Sequence, residues 1–181
     1  MFFEFLDLFE KFVDDSSEII INDLGILHTL TEKKNTLYKI RLGRFLSYQK
    51  RGTQKLYGAV TAEELSYVPI LNKKTMDFLI KLGVSGLDID IPTHNLNIAN
   101  KPELEIAVYM PYALNSYTIN CPFTFNGKSW GRSCKRECLN VKLFYENTET
   151  EEPFFQRGKA YYRASMKTIS PFINRVVILE W

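Results

Sequence analysis

The sequence predicts an α/β fold of largely parallel strands with flanking helices, its sheet curled toward a barrel rather than doubly wound. Short β-branched runs alternate with amphipathic stretches, and polar residues gather just past the carboxyl ends of those runs. No glycine-rich phosphate fingerprint follows any run, which removes the commonest sign of a nucleotide-binding doubly wound sheet.

The elements follow in order. Phe2, Phe5, Leu6, Phe9, Phe12 and Val13 recur at three- and four-residue spacing with acidic residues between them, the pattern of an amphipathic helix. Glu18 to Asn22 holds three consecutive isoleucines and reads as a strand. Asn22-Asp23 then caps a helix through Leu24, Leu27 and Leu30. Leu37 to Leu42 is a second strand, with Gly43-Arg44 at its carboxyl end. Thr75 to Leu82 is helical and ends at Gly83, since glycine takes a left-handed cap without a Cβ penalty. Strands are expected at Leu87 to Ile91, stopped by Pro92, and at Glu105 to Met110, after which Pro111-Tyr112 turns the chain. Leu139 to Tyr145 alternates as a strand does, Glu146 to Glu152 is an acidic loop, and Lys159 to Arg163 and Arg175 to Glu180 are the last strands. A short helix is expected near Met166 to Phe172.

The chain of 181 residues has no low-complexity linker, so residues 1–181 are read as a single domain. Its net charge of +2 is too small to specify a partner. The apolar start is interrupted by Glu4, Asp7, Glu10 and Lys11, which fits neither a signal peptide nor a membrane span, and the expected compartment is the cytoplasm.

All three cysteines fall in one eighteen-residue stretch, CPFTFNGKSWGRSCKREC, from Cys121 to Cys138. If Lys135 to Glu137 forms a helical turn, Cys134 and Cys138 share one face at i, i+4 spacing, and Cys121 folds back to them through Gly127 and Gly131. Soft thiolates on such a loop suit zinc or an iron–sulfur cluster and do not suit magnesium or calcium. Burial as ordinary core is the alternative, and the polar flanks Lys128, Arg132, Lys135 and Arg136 argue against it. A disulfide would leave one thiol over. Either type of metal site takes four ligands, so a fourth must come from His28 or His94, a carboxylate, an external ligand or another chain.

Two further polar features admit two readings each. Residues 33 to 55 carry eight basic side chains and no acidic one. Such a run is a solvated face, or else Arg44, Lys50 and Arg51 bind an anionic substrate or RNA just past a strand end, where Tyr48 could stack on a base. Asp88 and Asp90 point to one side of their strand by its two-residue period, as acid–base partners or as solvent-facing or salt-bridged aspartates. His28 and His94 have no neighbour in sequence that would nominate a hydrolytic triad.

The segments EIIINDLGILHTL, YKIRLGRFLSYQKRG, GLDID, VYMPYALNSYTINC, SCKREC, FQRGKAYYRA and INRVVILEW, in that order over Glu18 to Trp181, resemble the collagenase-like peptidase family 32 of unknown catalytic type. The C-x12-C-x3-C arrangement of Cys121, Cys134 and Cys138 is similar to the cluster cysteines of its branch active in oxygen-independent ubiquinone hydroxylation; other branches support RNA hydroxylation, and the peptidase label rests on older members. The resemblance implies a TIM-barrel-like fold and a four-iron, four-sulfur (4Fe-4S) cluster held by four cysteines, with zinc as the alternative metal. It also implies an amino-terminal region, carrying the first barrel strands and the first cluster cysteine, that has no counterpart in these residues. The expectation is therefore an incomplete, open, six-stranded barrel that is marginally stable alone or is completed by a protein partner or by a homo-oligomer. Peptidase activity, a non-catalytic partner subunit and an RNA-binding module are the alternative functions.

Overall fold

The computed structural model describes residues 2–33, 37–47, 68–90, 96, 98, 101–118, 121–124, 135–139, 143–145, 154–164 and 169–179. The chain runs α1 (Phe2–Phe9), β1 (Glu18–Ile21), α2 (Leu24–Glu32) and β2 (Lys39–Leu42). A 3-10 turn at Pro69–Leu71 leads into α3 (Lys73–Lys81), β3 (Val84–Asp90), β4 (Glu105–Met110) and β5 (Tyr112–Tyr117). Two more 3-10 turns, Pro122–Thr124 and Glu137–Leu139, precede β6 (Leu143–Tyr145), β7 (Phe154–Arg157), β8 (Ala160–Ala164) and β9 (Arg175–Ile178).

Five strands form a wholly parallel sheet in the order β1-β2-β3-β4-β9, curled into a half-barrel and flanked by a few helices. An open half-barrel of this kind is compatible with completion by a partner. No helix among the described residues is long and apolar enough to cross a membrane.

The helix caps form where the sequence puts them. Asp23 accepts the Ile26 N–H at 2.9 Å, Asn72 accepts that of Lys74 at 2.9 Å, and Gly83 follows α3 with φ +81°. α1 stops at Phe9, short of the Val13 that its periodicity suggested. Residues 169–172 form turns, so the described part of the expected Met166–Phe172 helix is not helical.

The two faces of the parallel sheet differ in chemistry. Its convex face carries Ile21, Ile40, Leu42, Leu87, Ile89, Ile106 and Val108. These bury against Leu27 and Leu30 of α2, Leu79 of α3 and Leu6 of α1 as one apolar core. Its concave face carries Glu18, Arg41, Asp88, Glu105, Tyr109 and Arg175, the alternate residues of the same strands. The curl brings the two outermost strands within side-chain reach across that face. Arg175 grips Glu18 with both arms of its guanidinium, Nη1 to Oε2 and Nη2 to Oε1 at 3.1 Å.

The remaining strands make a separate antiparallel sheet in the order β5-β8-β7-β6, an arrangement the sequence did not suggest. Leu143–Tyr145 and Ala160–Ala164, both expected as strands, belong to it, so the parallel sheet has five members rather than six. Its small core stacks Phe155 on Tyr162, with centroids 5.2 Å apart, and sets Tyr112 edge-on to Phe155. β7 and β8 are joined by the two-residue loop Gly158-Lys159. Inside it the wholly buried Gln156 accepts from the Tyr145 hydroxyl at 2.6 Å and donates to the Gly158 carbonyl at 3.0 Å.

Candidate functional site

A continuous chain of polar contacts crosses the concave face from the amino to the carboxyl ends of the parallel strands. Arg41, almost wholly buried, donates from Nε to Asp88 Oδ1 at 2.9 Å, from Nη1 to Glu105 Oε2 at 3.3 Å and from Nη2 to the Leu87 carbonyl at 3.2 Å. Glu18 lies 3.8 Å from the same Nη1. The guanidinium fits because residue 86 is glycine: a Cβ there would stand 2.3 Å from Nη1. Asp88 receives the Tyr109 hydroxyl on its other oxygen at 3.0 Å. Burial first, then the adjacent Asp88 carboxylate, pushes the Tyr109 phenol up to about 12. Tyr109 is thus a fixed hydrogen-bond donor at neutral pH rather than a base.

At the mouth of the half-barrel, Arg44 pairs with the fully buried Asp90 at 3.1 Å, and its guanidinium carbon lies 4.4 Å from the centre of the Tyr109 ring. Arg44 also bonds the hydroxyl of Tyr162, whose ionisation burial pushes upward while the guanidinium pulls it back. Asp88 and Asp90 do share one side of β3. Both are engaged by arginines, which is the salt-bridged alternative of those expected from their spacing.

Three contacts bring the cysteine segment to this mouth. The Tyr117 ring, at the end of β5, stands edge-on to Phe45, the residue after Arg44, with centroids 6.3 Å apart. The Thr118 N–H then bonds the Lys159 carbonyl at 2.8 Å, tying the end of β5 to the β7–β8 loop. Buried Cys121 follows three residues later, within roughly 10 Å of chain. Cys138 arrives at the same loop from the other direction, because a Cβ on Gly158 would lie 3.6 Å from its Sγ. Cys138 thus lies against the hairpin end to which the start of the Cys121 segment is tied.

Local geometry corrects one expectation. Lys135 to Glu137 is not a helical turn: Arg136 has φ +59°, which breaks the helix path, and Cys138 sits on a separate 3-10 turn. Cys134, the expected i, i+4 partner of Cys138, lies outside the described residues. Lys50, Arg51, Tyr48 and His94 lie outside them as well. His28 is exposed on α2, 3.8 Å from Glu32. Among the described residues no group of three or more metal-ligating side chains is assembled.

No family model, curated protein or solved structure matches this chain.

Sequence reasoning missed the concave-face network. Arg41 sits in a basic run that reads as solvated surface, and Asp88, its partner, is 47 residues away. Gly86 two positions before Asp88 was the one local signal, a glycine inside a strand marking close approach of another group.

Proposed function

We propose that this chain is an iron–sulfur protein of the collagenase-like peptidase family 32. It holds a thiolate-ligated cluster through Cys121, Cys134 and Cys138 and serves an oxygen-independent hydroxylation of a ubiquinone precursor or of RNA. What supports the proposal is that Cys138 lies against the Gly158-Lys159 hairpin end, to which the N–H of Thr118, three residues before Cys121, is bonded next to the strand mouth. The donor set fits a soft-metal centre in chemistry: Cys121, just before one 3-10 turn, is buried, and Cys138, within another, is half-buried, with no disulfide between them. Carboxyl ends of parallel strands are where barrel-like α/β proteins work.

When bound, such a cluster supplies one-electron chemistry. The chain's own residues hold and orient. Cys121 is buried, and on the hairpin side Tyr112, edge-on to Phe155, packs with the stacked Phe155 and Tyr162. Arg44, fixed by Asp90 and by the face of Tyr109, is the guanidinium at the mouth that would contact an anionic substrate, together with Lys50 and Arg51, which lie outside the described residues. The reducing cytoplasm is the compartment in which these thiols stay available. No specific observation among the described residues favours a peptidase.

Anaerobic reconstitution tests the reading. The wild-type protein is expected to be brown, with absorption near 400 nm and about four irons and four sulfides per chain. Cys134→Ala and Cys138→Ala each lose both iron and colour. Binding of zinc alone would replace the cluster by the other soft metal, and wild-type iron and colour in Cys138→Ala would refute the assignment.

A further inference from the structure

Among the described residues nothing pairs with the outer sides of the first and last strands of the parallel sheet, and these two strands match one another. β1 reads Glu18-Ile19-Ile20-Ile21 and β9 reads Arg175-Val176-Val177-Ile178: opposite charges at the first position, then three β-branched residues each. Along β1, Ser17 and Ile21 give their carbonyls to the N–H groups of Lys39 and Gly43, so by alternation Glu18 and Ile20 turn their backbone groups away from β2 to the open side. A cavity of about 350 Å3 runs along that side, walled by Leu6 and Phe9 of α1, Ile26 and Leu30 of α2 and the strand itself. At the opposite edge Val176 and Ile178 are exposed.

We infer that the half-barrel pairs with a second copy of itself, β1 of each copy running parallel to β9 of the other. The register sets Glu18 beside Arg175 of the second copy and Ile19 beside Val176. Val176 is the β4 partner of core residue Val108 and so faces the layer of the sheet that holds Leu6 and Phe9. In this register it enters the cavity. A two-fold axis along the strands makes both pairings at once and leaves neither copy with an open edge.

Charge complementarity selects a second copy over an unrelated strand. The Glu18–Arg175 pair that spans the concave face within one chain can be exchanged for the same pair between chains. Opening the curl therefore loses no ion pair, while the ladder hydrogen bonds and the apolar cover over the cavity are new. This association does not depend on the cysteine site.

Light scattering with size separation tests the inference on the full chain. Wild type is expected at twice 21.1 kDa, falling to the single mass on dilution. Glu18→Arg alone and Arg175→Glu alone put like charges at both junctions of a homodimer, and each is expected to be monomeric. Mixed in equal amounts they offer opposite charges at both junctions, and the doubled mass returns. Ile20→Pro removes an outward-facing N–H while sparing the β1–β2 ladder, and is also expected to halve the mass. Wild type that stays monomeric up to its solubility limit, Ile20→Pro that is folded by circular dichroism yet dimeric, or a mixture of folded charge variants that stays monomeric, each overturns the inference.

Discussion

Replacing Arg41 by methionine removes the hub of the concave face and leaves its carboxylates behind. Asp88, almost wholly buried, would keep only the Tyr109 hydroxyl on one oxygen and lose the guanidinium on the other. The Leu87 carbonyl would lose its Nη2 donor too. Breaking one side of a buried ion pair costs about 3–5 kcal/mol, a large share of the net stability of a domain. At about 2–4 °C per kcal/mol for a chain of this length, the melting temperature should fall by roughly 6–20 °C.

The glycine below the guanidinium supplies an internal control. Gly86→Ala in the wild type drives a Cβ to 2.3 Å from a group pinned by several bonds, an overpacking of about 1–3 kcal/mol. With Arg41→Met already in place the clashing nitrogen is gone, the Glu105 carbonyl at 3.0 Å remains, and the cost of Gly86→Ala should drop by at least half. Urea denaturation of the two single variants and the double variant measures all three quantities. Strict additivity of the two substitutions, or an Arg41→Met protein as stable as wild type, would refute the account of Arg41 as a pinned and necessary hub.

Three other outcomes are expected. Arg175 holds the Glu18 carboxyl below its ordinary value of 4.5, so the stability from that pair is present above pH 4.5 and is lost as the pH falls through the lowered value; Glu18→Gln should flatten this acid limb of the urea midpoint. Burial and Asp88 raise the Tyr109 phenol from 10 to about 12, so its contribution is complete below pH 10 and lost as the pH rises toward 12; the latest step in the phenolate absorbance titration should be missing from Tyr109→Phe. Gly43→Ala sets a Cβ 2.2 Å from Asn22 Oδ1, which accepts the Phe45 N–H, and calorimetry should show a loss of about 1–3 kcal/mol, relieved in part by Asn22→Ala.

The parallel sheet was legible because its strands are short apolar runs rich in β-branched residues, with the charged residues of β2 and β3 at alternate positions. The capped helices were legible because Asp23, Asn72 and Gly83 stand where the backbone needs them. The antiparallel sheet was not, since β6 and β7 are three and four residues long and depend on pairing partners that no local pattern announces. In the cysteine segment the expected helical turn over Lys135 to Glu137 does not form, because Arg136 takes a left-handed conformation, and the neighbour that Cys138 meets, the β7–β8 hairpin, is one that no local pattern announces.

The composition of the concave face bears on what can enter it. Lys39, Arg41 and Arg175 meet Glu18, Asp88 and Glu105 there, three positive groups against three negative, and Arg44 pairs with Asp90 at the rim. The face is therefore close to neutral, each charge already answered by another. A ligand gains no net attraction of either sign from it, and a charged group must displace an existing ion pair to make its own contact.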